Sequence, residues 1–306
     1  MKKEYKLKRG YNLYIYYFII PIFVIFAYIN SHLPTVNVGN LDLRTMLSVV
    51  TFLFGFFISI SFSMILSRAS GLRDSLAVET GRIISLFKSS EFFGEIFHRK
   101  IIERIDGYTI ATLRDYGHYE SGREFIYQIY EDLKNLTITH ENQKTYLSSF
   151  LSTINSFEKA HEKIEALTSE KMLLAMRFAN YILAALFISL LFLNRGEAFT
   201  NTLFVILSTL TVFILLIIED YENLNIGDYI NNISNSEQIF DLIGKDRYYP
   251  KPLLGKVHLE RGKKYRIGIY DSKIEEEKIF NLSYDSNFDF NLGKFTQIFH
   301  KKSPKL

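Results

Sequence analysis

The chain has 306 residues, of which 48% are hydrophobic, 15% aromatic and 23% charged, and its net charge is +3. That much aliphatic and aromatic surface excludes intrinsic disorder, and a cysteine count of 0 excludes disulfide frameworks and thiolate metal or redox centres. A positive charge this small and evenly spread argues against nucleic acid as a partner.

Residues 1–11 form a basic tail carrying Lys2, Lys3, Lys6, Lys8 and Arg9. Four apolar runs follow along the chain, at 13–29, 46–66, 172–193 and 199–218, and each matches the roughly 17–25 residues a helix needs to cross a bilayer. Four transmembrane helices are therefore predicted, paired within 12–66 and 172–218. The first run is too long for a signal-peptide core, and no small-x-small cleavage site follows it. Lys and Arg crowd the N-terminal tail, the segment opening with Arg68, Arg73 and Arg82, and the C-terminal segment. The loops between paired spans carry only Arg44 and Arg195. This asymmetry predicts a multi-pass protein of the cell (inner or plasma) membrane with both termini cytoplasmic.

Residues 67–171 have helical periodicity and no proline, with stripes such as Phe93, Phe97, Ile101 and Ile105, then Phe150, Ile154, Phe157 and Ile164. No breaker separates these helices from the second and third spans, so both spans are expected to continue as helices into a cytoplasmic bundle. Residues 219–306 change character. A short helix leads to period-two stretches at Val257 and Leu259, at Tyr265, Ile267 and Ile269, and at Phe280, Leu282 and Tyr284, which predict a small β element before a loose basic end. The expected fold class is thus an all-α polytopic membrane protein with helices two and three extended into the cytoplasm, plus a β-containing tail.

There is no Walker loop, dinucleotide fingerprint, nucleophile elbow or His-Glu-x-x-His, so the reading is of a protein that is not an enzyme and needs no cofactor. Span two is the most informative segment. Its small and hydroxyl residues, including Ser59 and Ser63, recur every three or four positions among large aromatics. They serve close helix packing, or they line a symmetric pore in which Phe52, Phe56 and Ile60 form an apolar neck and Ser59 and Ser63 a rival lining on another face. Arg177, a charge within a span, either snorkels or biases a conduit toward anions. Glu219, Asp220 and Glu222 make a candidate cation site or a solvated helix end. Two Glu-x-x-His pairs, Glu95 with His98 and Glu158 with His161, share helix faces as di-iron ligands do, with Glu79 and Glu120 as further nominees. Ordinary surface pairs are the commoner explanation, and His161 falls on an apolar face.

Three stretches carry a family resemblance: the run from Arg68 through Gly71, Leu72, Arg73 and Asp74 to Glu79-Thr80, the helix opening Tyr108-Thr109-Ile110, and Ile243-Gly244-Lys245-Asp246-Arg247-Tyr248-Tyr249-Pro250 after two closely spaced spans. Together they resemble the bestrophin-like family of bacterial membrane proteins over roughly residues 46–250. The chain differs where an acidic turn with proline is expected after the last span, having Glu219-Asp220-Tyr221-Glu222-Asn223-Leu224 instead. True bestrophins, more distantly similar, are pentameric anion channels whose second span lines the pore. The resemblance implies a homo-oligomer in a lipid bilayer that passes inorganic ions, favouring anions. The alternative is a non-conducting scaffold or sensor whose bundle binds a soluble partner.

Overall fold

The computed structural model describes residues 14–35, 42–114, 119–138, 141–223, 228–254, 257–260, 262–271 and 276–283. The basic tail 1–11 and the end of the chain beyond Ser283 lie outside the described residues. In chain order the α-helices are α1 (Tyr14–His32), α2 (Leu43–Ser90), α3 (Glu95–Arg114), α4 (Arg123–Lys134), α5 (Glu141–Ser169), α6 (Leu174–Leu193), α7 (Ala198–Glu222) and α8 (Asp228–Leu242). Strands β1 (Arg247–Pro250), β2 (Lys264–Asp271) and β3 (Glu276–Ser283) follow. The chain divides into a helical unit spanning residues 10–239 and a second unit from Phe240 onward.

Three helices among the described residues are long and apolar enough to cross a membrane, over Leu43–Phe93, Glu141–Leu193 and Ala198–Glu222. This corrects the expected four. The first apolar run forms α1, a helix of 19 residues with Pro21 inside it and a polar Asn30-Ser31-His32 end. Its apolar part ends at Ile29, and at 1.5 Å per residue the stretch 14–29 is about 24 Å, short of the roughly 30 Å hydrocarbon slab. It lies antiparallel along α7, with Phe26 edge-on to Phe204 at 5.7 Å. Its carboxyl end is closed by Arg195 from the loop between α6 and α7. That guanidinium donates to the carbonyls of Ile29 (3.3 Å) and Pro34 (3.1 Å) and lies 3.9 Å over the Phe192 ring.

α2 is one unbroken helix of 48 residues, about 72 Å long, so it overshoots the slab by more than half its length. It starts at Asp42, whose carboxylate accepts from the Thr45 amide and hydroxyl. A single buried stripe runs from Phe54 through Ile58, Ser61, Ile65, Ala69, Leu72, Leu76, Glu79 and Ile83 to Leu86, every step three or four residues. In the membrane half this stripe packs on α6, with Phe54 stacked on Phe187 at 5.6 Å and the Asn180 amide donating to the Ser61 hydroxyl at 2.7 Å. In the extension it packs on α3 and α5. Leu72, Leu76, Ile83 and Leu86 are fully buried there, each worth about 1.5–3 kcal/mol. Phe93, Phe97 and Phe150 close the far end as an edge-on trio with centroids 5.4–5.6 Å apart.

The third span and its extension form a bent helix rather than a continuous one, because residues 170–173 are not helical. Side chains from other helices satisfy the backbone groups freed at the break. Arg68 takes the carbonyls of Leu167 and Thr168, and Glu222 takes the Met172 amide.

The second unit is a three-stranded sheet ordered β1-β2-β3, with β1 parallel and β2–β3 antiparallel. The first strand is Arg247–Pro250 and not the stretch around Val257 and Leu259, which is irregular. The parallel pairing explains this: it needs a crossover between β1 and β2, and 257–260 is part of that connection. Tyr248, Tyr249 and Tyr265 are fully buried, and Arg247 makes a bidentate pair with Asp241 at 2.9 and 2.6 Å.

Candidate functional site

The membrane half of α2 has two opposite faces. While Phe54, Ile58 and Ser61 pack inward, Phe52 (72% exposed), Phe56 (53% exposed), Ser59 and Ser63 all point away from the chain's own core. Their spacing of four, three and four residues puts them on one narrow stripe. Ile60 is half-buried at its edge. The phenyl and hydroxyl candidates are thus not on separate faces, as the sequence suggested, but share one.

Where α2 leaves the apolar region, α2, α6 and the break after α5 converge on Glu222 of α7. Its Oε1 accepts from the Met172 amide at 2.7 Å and from Arg177 at 3.0 Å, and its Oε2 lies 3.9 Å from Arg68. Arg68 also donates to the Glu222 carbonyl at 3.2 Å, so this one guanidinium holds the carboxyl ends of both α5 and α7. Charge-assisted bonds of this kind are the strong ones. Beside the cluster is a cleft of about 380 Å³ bordered by Ser63, Ser67, Arg68, Lys171 and Glu222. Arg177 is therefore an ion-pair partner of Glu222. Glu219 accepts from the Tyr181 hydroxyl at 3.0 Å, Asp220 is half-buried, and the three acidic residues have separate surroundings.

The second concentration of polar groups lies inside the extension. Glu79 of α2 is buried among Tyr108 of α3, Tyr119 of the short turn Tyr119–Gly122, and α5. The Tyr108 hydroxyl donates to Glu79 Oε1 and the Tyr119 hydroxyl to Oε2 at 2.7 Å. His161 Nδ1 lies 3.0 Å from the Tyr108 hydroxyl. Burial pushes the Glu79 carboxyl up to about 7 although both tyrosines pull the other way, and burial pushes the His161 imidazole down to about 4. Desolvation, with Glu79 next to it, also raises the Tyr108 phenol well above its usual range. Gly122 makes room for this arrangement, since a Cβ there would lie 2.7 Å from the Tyr108 ring.

The two Glu-x-x-His pairs are not gathered into one site. Glu95 is exposed and pairs with Arg99 at 2.7 Å, while His98 contacts the Ser90 hydroxyl at 2.6 Å. Glu158 accepts from Tyr130 at 2.8 Å, and Glu120 is exposed. Among the described residues no group of three or more His, Cys, Asp or Glu is placed to hold a metal ion. Sequence reasoning overlooked Tyr119 and gave Arg68 no structural role. The only signal for Arg68 was its being the first charge after the uncharged run 46–66.

No curated protein matches the sequence. Solved structures do match in fold. One described only as a membrane protein superposes with a TM-score of 0.58 at 12% identity, covering 75% of this chain and 99% of its own. A bacterial bestrophin homolog from Klebsiella pneumoniae carrying a point mutation gives 0.56 at 13% identity, covering 77% and 99%. A structure of that homolog phased with zinc gives 0.56 at 10%, covering 76% and 98%. Residues 18–229 match the Bestrophin-like domain, and over the long apolar helices and the buried stripe of α2 the chain belongs to the bestrophin-like family of membrane proteins.

Proposed function

We propose that the chain assembles as a homo-oligomeric ion channel of the cell membrane, with the outward stripe of α2 lining the conduit and the helical extension and basic termini on the cytoplasmic side. The observation that carries this reading is the joint outward placement of Phe52, Phe56, Ser59 and Ser63. Hydroxyls gain nothing from hydrocarbon, whereas a face shared by several copies around water accommodates serines and lets the phenyls form an apolar constriction. The side assignment follows Arg68, Arg73 and Arg82 at the exit of the α2 span. No anion preference is assigned to Arg177, because Glu222 balances its charge at 3.0 Å.

Native mass measurement in mild detergent is expected to show an oligomer, and purified protein in liposomes to pass ions. Replacing both Phe52 and Phe56 by alanine is expected to raise the flux severalfold by removing the dewetting barrier. A monomer, or liposomes as tight as protein-free controls, ends this reading.

A further inference from the structure

We propose that the Glu79 carboxyl is a proton-binding switch of the helical extension, fed from solvent along Glu165, His161 and Tyr108, and that protonating it reverses the hydrogen bonds by which α5 holds α2. The geometry is a chain across four helices. Glu79 of α2 meets Tyr108 of α3, whose hydroxyl also reaches His161 Nδ1 of α5 at 3.0 Å. His161 Nε2 is buried without a hydrogen-bond partner, 3.7 Å from Glu165 Oε2. Glu165 is partly exposed and accepts from Arg123 of α4 at 2.7 Å, so the chain ends at solvent. The groups facing Glu79 are Tyr108, Tyr119 and, through Tyr108, His161. Those facing His161 are Tyr108, Tyr119, Glu165 and Arg123.

A tyrosine hydroxyl has one proton, and this fixes the logic. With Glu79 ionised, Tyr108 donates to the carboxylate and His161 donates from Nδ1 to the Tyr108 oxygen. Nε2 is then a bare acceptor opposite another acceptor, which matches its lack of a partner and the 3.7 Å gap to Glu165. Uptake of one proton at Nε2 moves the Nδ1 proton to the Tyr108 oxygen and the old Tyr108 proton to Glu79 Oε1. One proton enters, one arrives, and imidazole and phenol end neutral. Tyr108 now donates to His161, and Nε2–H faces the Glu165 carboxylate. The second tyrosine, Tyr119, donates to Oε2 and also adjoins the Tyr108 hydroxyl, and it keeps its own proton throughout. Because α2 carries Glu79 and the outward stripe on one unbroken helix, the switch bears on the conduit; that last step alone rests on the channel reading.

The test is an infrared titration of the full chain in detergent, following the protonated-carboxyl band, beside liposome flux at varied pH on the extension side. The expected result is a band that titrates near neutrality, is missing in Glu79→Gln, and moves up by about one pH unit in Tyr119→Phe, which loses one bond to the carboxylate. Flux is expected to change severalfold through the same range and to be flat in Glu79→Gln. A band identical in Glu79→Gln, or wild-type and Glu79→Gln fluxes with the same pH profile, overturns the switch. A band that titrates as expected in a chain that never conducts supports the proton site and sinks the channel reading instead.

Discussion

Glu222→Ala is expected to be the most damaging single substitution at the membrane exit, costing on the order of 3 kcal/mol. The carboxylate is buried and serves three groups at once: the Met172 amide, Arg177 and Arg68. Truncation leaves a buried amide without an acceptor and two guanidinium groups without a counter-charge, and the bend between α5 and α6 loses its clasp. Glu222→Gln keeps the acceptor for Met172 and should fall between alanine and wild type. Glu219→Ala, three residues away, removes a bond to an exposed tyrosine and should cost about 1 kcal/mol. Thermal unfolding in detergent ranks the three variants. Equal shifts for Glu219→Ala and Glu222→Ala contradict the clasp.

The second large effect is on stability against pH, and it is hidden in the wild type. Glu79 titrates at about 7 in the folded chain against a usual 4.5, so the folded state holds an extra proton between these values. Its contribution is fully present below 4.5 and is lost as pH rises through 7. His161 titrates at about 4 against 6.5, so here the unfolded state holds the extra proton. That contribution is present above 6.5 and is lost as pH falls toward 4. Between about 4.5 and 6.5 the two slopes cancel, and the wild type is expected to show a plateau. Glu79→Gln removes one slope and exposes the other: stability then climbs from pH 4 to 6.5 by on the order of 3 kcal/mol. His161→Gln does the reverse, with stability falling by a similar amount from pH 4.5 to 7. Denaturant unfolding of the three proteins at pH 4.5, 6 and 7.5 checks this. Parallel pH profiles would rule out opposed titrations.

The sequence made some of this legible and concealed the rest for physical reasons. Apolar runs report partitioning into lipid, so α2, α6 and α7 were visible as spans. The same signal overcounted α1, whose apolar part, residues 14–29, is only about 24 Å long before the polar turn Asn30-Ser31-His32. The bend at 170–173 had no proline or glycine to announce it. The groups that satisfy its backbone, Arg68 and Glu222, are on other helices and distant in sequence. His161 was recognisable as an imidazole on an apolar face, and Glu79 as a nominee for a metal site. Their shared partner Tyr108 is apparent only once α3 packs between α2 and α5. The stripe of Phe52, Phe56, Ser59 and Ser63 could be read as residues, whereas which face the chain's own core would leave open could not. β1 was misplaced because a four-residue parallel strand has too few alternations to stand out from its surroundings.

With 0 cysteines in the chain, a single thiol placed at Ser59 is the only one present. Its reaction with a membrane-impermeant, water-soluble thiol reagent in liposomes tests the assignment of the α2 stripe most directly. If the stripe faces a hydrated conduit shared by several copies, Ser59→Cys is modified and its ion flux is blocked, while a thiol at Ile206, on the exposed side of α7, is not. If Ser59→Cys reacts only with lipid-soluble reagents and its flux is untouched by the water-soluble one, the stripe faces lipid and the account is wrong.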